Sequence, residues 1–251
     1  MRLVETPLNF TGSKFRILPQ ILPIFDRKTR FVDLFTGGGA VYANVSPYYD
    51  SIVINDIIPE LIGIHKGLVY EGWDFVERVK QVIVSKDDED GYYALRDSFN
   101  REKTPEKLFA LMLSCTNNMM RFNRSFEFNQ TWGRRSYNPG TERKLEGFFK
   151  FIRLYVDRLH FTVGTFREIR FAHPEDTFIY ADPPYSSTEA GYNAYWSNDD
   201  EEALYEYLVN HEKKGGTFAL SGIVGCTIID RMMKEGFPYA KIAHDYERVA
   251  R

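Results

Sequence analysis

The feature that most constrains this chain is an alternation between two kinds of segment. Residues 30–35 (RFVDLF) run into Gly37, Gly38 and Gly39, and residues 51–55 (SIVIN) stop at Asp56. Residues 177–181 (TFIYA) stop at Asp182, and residues 216–220 (GTFAL) are followed by Ser221 and Gly222. Residues 239–243 are a fifth candidate. Short apolar runs ended by glycine or polar residues read as buried strands entering turns. Between them, residues 59–70, 73–84, 89–100, 105–115, 141–159 and 198–210 carry apolar residues at helical spacing. Thr104 before Pro105 is a helix start, and Asn198, Asp199, Asp200 and Glu201 suit a helix N-terminus. Strands alternating with helices predict a parallel α/β sheet. Ligands of such sheets sit at the carboxyl ends of the strands, so residues 35–39, 55–56, 181–185 and 221–222 should line one cleft. From about Trp73 to Lys144 the alternation breaks. About three helices and an arginine-rich aromatic stretch stand there, as an inserted second lobe would.

Composition removes several classes. At 251 residues the chain suggests one or two domains of ~150 residues. Its 43% hydrophobic and 27% charged residues exclude a disordered tail and a collagen-like repeat. A net charge of −3 argues against a uniformly basic nucleic-acid coat. Cys115 and Cys226 form no CxxC pair, which excludes a cysteine-rich zinc site. They read as two reduced, buried thiols, with a single disulfide left open. His65, His160, His173, His211 and His244 are scattered with no metal-ligand spacing, so no metal is expected. The first residues lack the apolar stretch of a secretion signal, and no window approaches the ~18 apolar residues of a membrane span. The expectation is a cytoplasmic chain without a membrane partner.

Two motifs carry chemistry. In DLFTGGGAV the glycines let the backbone adopt positive φ and let a ligand approach closely. About twenty residues on, Asp56 can accept the two hydroxyls of a ribose. The same residues also fit a bare turn with Asp56 as a helix cap, and the spacing is not that of a dinucleotide fingerprint. The second motif, Asp182-Pro183-Pro184-Tyr185, is the more specific. Two prolines fix φ and remove backbone donors, so the chain leaves the strand stiff and extended. A carboxylate and a carbonyl held this way accept the N–H bonds of an exocyclic amine and aim its lone pair at an electrophile. The phenol ring of Tyr185 would stack on a planar base.

With these motifs in this order, the chain resembles the Dam-type DNA adenine-N6 methyltransferases over nearly its whole length. Asn9-Phe10-Thr11-Gly12-Ser13-Lys14 matches their N-terminal cofactor segment. Phe31-Val32-Asp33-Leu34-Phe35 with Gly37 and Gly38 matches the FxGG motif, Asp56 the ribose acid, and Asp182 to Tyr185 the catalytic motif. Ala190-Gly191-Tyr192-Asn193 through Trp196-Ser197 is similar to the segment that follows. The resemblance implies a Rossmann-like S-adenosylmethionine-dependent methyltransferase sheet with an inserted helical and β-hairpin recognition lobe. Its boundaries would be residues 1–72 plus 145–251 for the catalytic domain and 73–144 for target recognition. The implied cofactor is S-adenosyl-L-methionine, held by Phe10, Lys14, Phe35, Gly37, Asp56, Phe166 and Asp182. The implied catalytic residues are Asp182, Pro183 and Tyr185, acting on an adenine flipped out of double-stranded DNA. No obligate protein partner is implied.

The acidic total conceals a basic segment. Residues 116–145 hold Arg121, Arg124, Arg134, Arg135, Arg143 and Lys144 against Glu127 and Glu142, a local charge of 6 − 2 = +4. Aromatic residues interleave with the arginines, and residues 126–132 alternate as a hairpin strand would. Arginine supplies phosphate affinity and can grip guanine O6 and N7. Residues 117–123 through 132–136 are similar, without gaps, to the recognition hairpin of phage Dam enzymes. By that match Arg121 and Arg135 read guanines, Met119 and Thr131 face the central bases, and Asn117 lies near the backbone or flipped site, with Arg134 beside them. The family usually reads GATC, and Thr131 stands where a proline is usual. Cytosine-N4, RNA and protein-glutamine methyltransferases share the amine-positioning logic, but motif order and the hairpin disfavour them. An inactive DNA-binding relative is disfavoured by intact Lys14, Asp56, Asp182 and Tyr185. The absence of a Pro-Cys dipeptide argues against cytosine-C5 chemistry. Family members usually continue past residues 239–243 into a further strand, which leaves the closure of this sheet open.

Overall fold

The computed structural model describes residues 3–123, 125–184 and 196–242. Its centre is a parallel sheet of β1 (Arg30–Asp33), β2 (Ser51–Asp56), β3 (Leu159–Val163), β4 (Thr177–Ala181) and β5 (Thr217–Leu220). The spatial order is β3-β2-β1-β4-β5, so the direction of winding reverses between β1 and β4. Val32 of β1 stands opposite Val53 of β2 and Ile179 of β4. Nine α-helices are described: α1 (Leu18–Ile21), α2 (Ala40–Val45), α3 (Pro59–Lys66), α4 (Trp73–Val82), α5 (Glu89–Arg101), α6 (Pro105–Ser114), α7 (Pro139–Ile152), α8 (Asn198–Lys213) and α9 (Thr227–Lys234).

The two-residue repeat of a strand divides the core. Phe31, Ile52, Ile54, Phe178 and Tyr180 face one side, with Tyr42 of α2 and Leu61 and Ile64 of α3. Val32, Leu34 and Ile179 face the other, with Leu204 and Leu208 of α8 and Ile228 and Met232 of α9. Both sides are covered, as a parallel sheet requires. Burying one such Leu or Ile contributes ~1.5–3 kcal/mol. Helix α6 is apolar all round and correspondingly buried from Leu108 to Ser114, so it joins the core of the sheet to that of the inserted helices. Its start is fixed by Thr104, whose Oγ1 accepts from Lys107 N at 3.3 Å. Among the described residues no helix is long and apolar enough to cross a membrane. Cys115 and Cys226 are both buried free thiols.

Four of the expected strands form within two residues of the expected bounds. The fifth does not: residues 239–242 are irregular, and Ala243 lies outside the described residues. The missing position is taken on the opposite edge by β3, whose sequence LHFTV is only half buried and lacks the continuous apolar signal. The helix expected over 141–159 stops at Ile152 because the chain turns there to enter β3. Arg158 fastens that turn by donating to the carbonyls of Ser46 and Tyr49 at 3.3 and 3.2 Å.

The segment after α6 makes a hairpin with little regular ladder. Cys115 pairs with Trp132 and Phe122 with Phe128 as isolated antiparallel bridges. The expected strand over 126–132 is broken at Phe126, which has φ 57°. Side chains of α5 take the backbone groups a ladder would have used. Asn100 donates to Phe128 O at 3.0 Å and accepts from Phe128 N at 2.7 Å. The Tyr92 hydroxyl donates to Gln130 O at 2.8 Å. Phe122 and Phe128 are thereby turned onto Phe99.

Candidate functional site

The carboxyl ends of the strands meet at the reversal between β1 and β4, where an open α/β sheet leaves its crevice. Hydrogen bonds sew these ends together. Thr36 N donates to Asn55 O at 2.9 Å, and Leu34 N to Tyr180 O at 3.0 Å. Asn55 Nδ2 donates to Leu34 O at 3.1 Å and to Gly164 O at 3.0 Å, joining the ends of β1, β2 and β3. Ser221 N donates to Ala181 O at 2.8 Å, which adds the end of β5. The strand ends expected to share one site are thus brought together, as far as the described residues go.

The glycine turn is held from both sides of Gly37. Its N–H donates to Asp56 Oδ2 at 3.0 Å, and its carbonyl accepts from His65 Nε2 at 2.8 Å. Phe10 lies across this turn. A Cβ on Gly38 would come within 2.5 Å of Phe10 Cβ, so the glycine is needed for that packing whatever else approaches. Gly39, at φ 77°, would place a Cβ 2.7 Å from His65 Cε1. Both Asp56 oxygens accept backbone hydrogens, the second from Ile58 N at 3.1 Å. Burial pushes the Asp56 carboxyl above its ordinary range, against the pull of the N–H groups of Ile58, Gly37 and Ile57.

Beneath the turn is a buried polar set that the motifs did not single out. Asp33 ends β1, and its Oδ2 accepts from Thr36 Oγ1 and Tyr42 N, both at 3.1 Å. Burial pushes this carboxyl up to about 7, opposed by those hydrogen bonds and reinforced by the charges of Asp182 and Asp56. His65 is fully buried, and burial drives its imidazole down to about 4, so it is neutral. Its partners define the tautomer: Nε2 carries the hydrogen for Gly37 O, and Nδ1 accepts from the Tyr42 hydroxyl at 3.2 Å. The available signal was a polar residue interrupting an apolar run, as Asp33, Asn55 and His65 each do.

Lys14 and Asp182 are 168 positions apart in the sequence. Lys14 begins a short 3-10 turn, residues Lys14–Ile17, and Asp182 follows β4. Their side chains form an ion pair at 2.6 Å with only 7% and 18% exposure. Lys14 Nζ also donates to Gly12 O at 3.0 Å. Pro183 is buried directly after Asp182, while Tyr185 lies outside the described residues. Phe166 is buried 5.9 Å from the Phe35 ring, and Trp196 joins both at 5.6 and 5.9 Å. The Trp196 indole N–H is buried with no hydrogen-bond partner among the described residues. A carboxylate, an aromatic group and an ion pair thus surround one glycine turn.

The second set of expected residues lies on the hairpin. Asn117, Arg121, Thr131, Arg134 and Arg135 are exposed and Met119 is half-buried. The Arg134 guanidinium lies 5.5 Å from the centre of the Trp132 ring. Arg135 Nη1 donates to Asn118 Oδ1 at 2.7 Å, and Asn118 is buried. Thr131 Oγ1 is 3.0 Å from Thr116 Oγ1 across the hairpin base.

Comparison with known proteins fits this arrangement. Residues 10–222 match the family described as D12 class N6 adenine-specific DNA methyltransferase. The chain is 32% identical over 236 residues to a type II methyltransferase, M.FokI, of Planomicrobium okeanokoites, covering 88% of this chain and 36% of that protein. It is 26% identical over 241 residues to a DNA N-6-adenine-methyltransferase of Escherichia phage P1, covering 91% and 31%. A DNA adenine methylase of Serratia marcescens is 26% identical over 208 residues, covering 78% and 75%. The chain spans about a third of the length of the first two.

Proposed function

Since the chain belongs to the D12 class of N6 adenine-specific DNA methyltransferases, we propose that it methylates the N6 of an adenine flipped out of double-stranded DNA, with S-adenosyl-L-methionine as donor. The observation that carries this reading is the Lys14–Asp182 ion pair beside the glycine turn, at the reversal of the sheet. When bound, the donor supplies a methyl group already activated on a sulfonium. The residues present fit such a molecule. Asp56 offers a carboxylate to a ribose diol, and Phe35 and Phe166 offer a ring face to an adenine. Phe10 and Gly37 shape the wall, and the Trp196 N–H, without a partner among the described residues, offers a buried donor.

In this proposal Asp182 and the Pro183 carbonyl accept the two N–H bonds of the target amine and orient its lone pair. Tyr185 stacks on the base. Lys14 balances the charge of Asp182, which would otherwise be buried alone at a cost of several kcal/mol. Orientation and exclusion of water are the main contributions the chain must make. Residues 73–144 serve as the recognition unit, and residues 1–72 with 145–251 as the catalytic unit. Arg121 and Arg135 read guanines, with Asn117, Met119, Thr131 and Arg134 completing the contact. The proposed site is GATC, with readout at one base pair altered by Thr131. The test is transfer of a labelled methyl group from the donor to duplexes that contain or lack GATC. Labelling confined to the GATC duplex supports the assignment. Equal labelling of both duplexes refutes the sequence preference, and no labelling refutes the activity.

A further inference from the structure

We infer that Asn118 is a positioning residue for sequence readout: its buried amide holds the Arg135 guanidinium in place for a guanine before DNA arrives. The inference rests on the proposed DNA substrate and on Arg135 as a reader of guanine. It gives a role to a residue that neither motif nor resemblance assigned. Arg135 is exposed on the hairpin, while Asn118, at the hairpin base, is only 6% exposed. Arg135 Nη1 donates to Asn118 Oδ1 at 2.7 Å. A guanidinium carries five N–H bonds, so four remain after this one, and gripping guanine O6 and N7 takes two.

The backbone explains why this residue is an asparagine. Asn118 has φ 54°, in the left-handed region that glycine, asparagine and aspartate enter most readily. Glycine offers no acceptor. Aspartate accepts, but it brings a negative charge beside the arginine and the phosphates. Asparagine is the one of the three that supplies a neutral acceptor. The framework around it is tight. Asn118 ends a short turn, Thr116–Asn118, just beyond the buried helix α6, and its N–H donates to Cys115 O at 3.2 Å. The segment that carries Arg135 is tied to the same place: Thr116 N donates to Thr131 O and Gly133 N to Ser114 O, both at 2.9 Å. A Cβ on Gly133 would come within 2.4 Å of Cys115 O, so the two segments touch backbone to backbone two residues before Arg135. A long arginine side chain normally loses rotamer freedom when it grips a base. Here the Asn118 bond has removed that freedom in the DNA-free chain, which favours the base contact.

The test compares turnover by the whole chain on its preferred duplex and on duplexes changed at one base pair at a time. Asn118→Gly accommodates the backbone conformation and removes the acceptor. Preference at one G·C pair should fall about tenfold, at the same pair where Arg135→Ala loses it. Preferences at the other pairs and affinity for S-adenosyl-L-methionine should match wild type. Adding Asn118→Gly to Arg135→Ala should bring no further loss, because Asn118 acts only through that guanidinium. Asn118→Asp, which returns an acceptor, should restore the preference. A purely structural role would instead lower turnover at every site alike and add to the Arg135→Ala loss. Either of those results, wild-type preference in Asn118→Gly, or no rescue by Asn118→Asp overturns the inference. In the wild type without DNA, nuclear magnetic resonance should show hindered rotation of the Arg135 guanidinium. Free rotation overturns the inference even where Asn118→Gly fails to fold. Full preference in Arg135→Ala removes Arg135 as the reader and the inference with it, while duplex methylation stands. A wild-type chain that methylates no duplex overturns the proposed function itself.

Discussion

Replacing His65 with phenylalanine tests the polar set beneath the glycine turn. The ring that stacks on Phe161 and meets Tyr42 edge-on is retained, and only the two nitrogens are lost. Gly37 O and the Tyr42 hydroxyl then lose their 2.8 and 3.2 Å partners. An unsatisfied buried polar group costs ~1–3 kcal/mol, so two cost roughly 2–6 kcal/mol. At ~2–4 °C per kcal/mol for a chain of this size, thermal melting at pH 7.5 should fall by at least roughly 4 °C and by up to roughly 24 °C. The penalty should depend on pH. Native His65 titrates at about 4 rather than 6.5, so its contribution is present above pH 6.5 and is lost as pH falls through 4. The gap from 6.5 to about 4, at ~1.4 kcal/mol per pH unit, amounts to roughly 3 kcal/mol. Only the wild type loses it on acidification. The difference between the two melting temperatures should therefore shrink from pH 7.5 to pH 4. Because Gly37 also carries the Asp56 contact, donor affinity should weaken about tenfold at pH 7.5. A melting difference independent of pH, or full donor affinity, would refute the assigned role.

Three further outcomes follow from the same geometry. Asp182→Ala should abolish methyl transfer while duplex binding stays within a few-fold of wild type; turnover within tenfold of wild type, measured with labelled donor, contradicts the assignment. Arg135→Ala should relax discrimination at one G·C pair by ~1–3 kcal/mol in an assay over variant sites, since Asn118 pre-positions that guanidinium. Asp33→Asn keeps an acceptor for Thr36 and Tyr42 but has no charge to bury. Native Asp33 titrates at about 7, above its unfolded value of 3.8, so stability is lost as pH rises through 7. The variant should melt higher than wild type at pH 8 and differ little at pH 4; parallel curves in calorimetry would exclude that burial effect.

Where an element was buried on both faces, its sequence announced it. Phe31, Val32, Ile52, Ile179 and their neighbours lie in continuous apolar runs, and each run became a strand of the sheet. β3 escaped because an edge strand with His160 and Thr162 has no such run. Residues 239–242 looked similar by composition yet joined no ladder, since short apolar stretches do not by themselves specify pairing. In the candidate site, Gly37, Asp56 and Asp182 were legible because glycines and prolines punctuate the chain near them, whereas Phe10 and Lys14 were reached only through the resemblance. Asn55 and His65 were not, because their partners lie tens to more than a hundred residues away, and Asp33, whose bonds to Thr36 and Tyr42 are local, was hidden inside the apolar run of β1. The hairpin tip was misjudged for a related reason: alternation predicted a straight strand, whereas Asn123 and Lys103 bend Phe126 out of it.

The central claim is the transfer of a methyl group to adenine N6 in duplex DNA. It is tested most directly by incubating the chain with S-adenosyl-L-methionine carrying a labelled methyl group and double-stranded DNA. The product is then digested to nucleosides and the labelled one identified. Label is expected in N6-methyladenine, dependent on Asp182. Label in N4-methylcytosine, or no transfer to DNA by a folded, donor-binding chain, would contradict it.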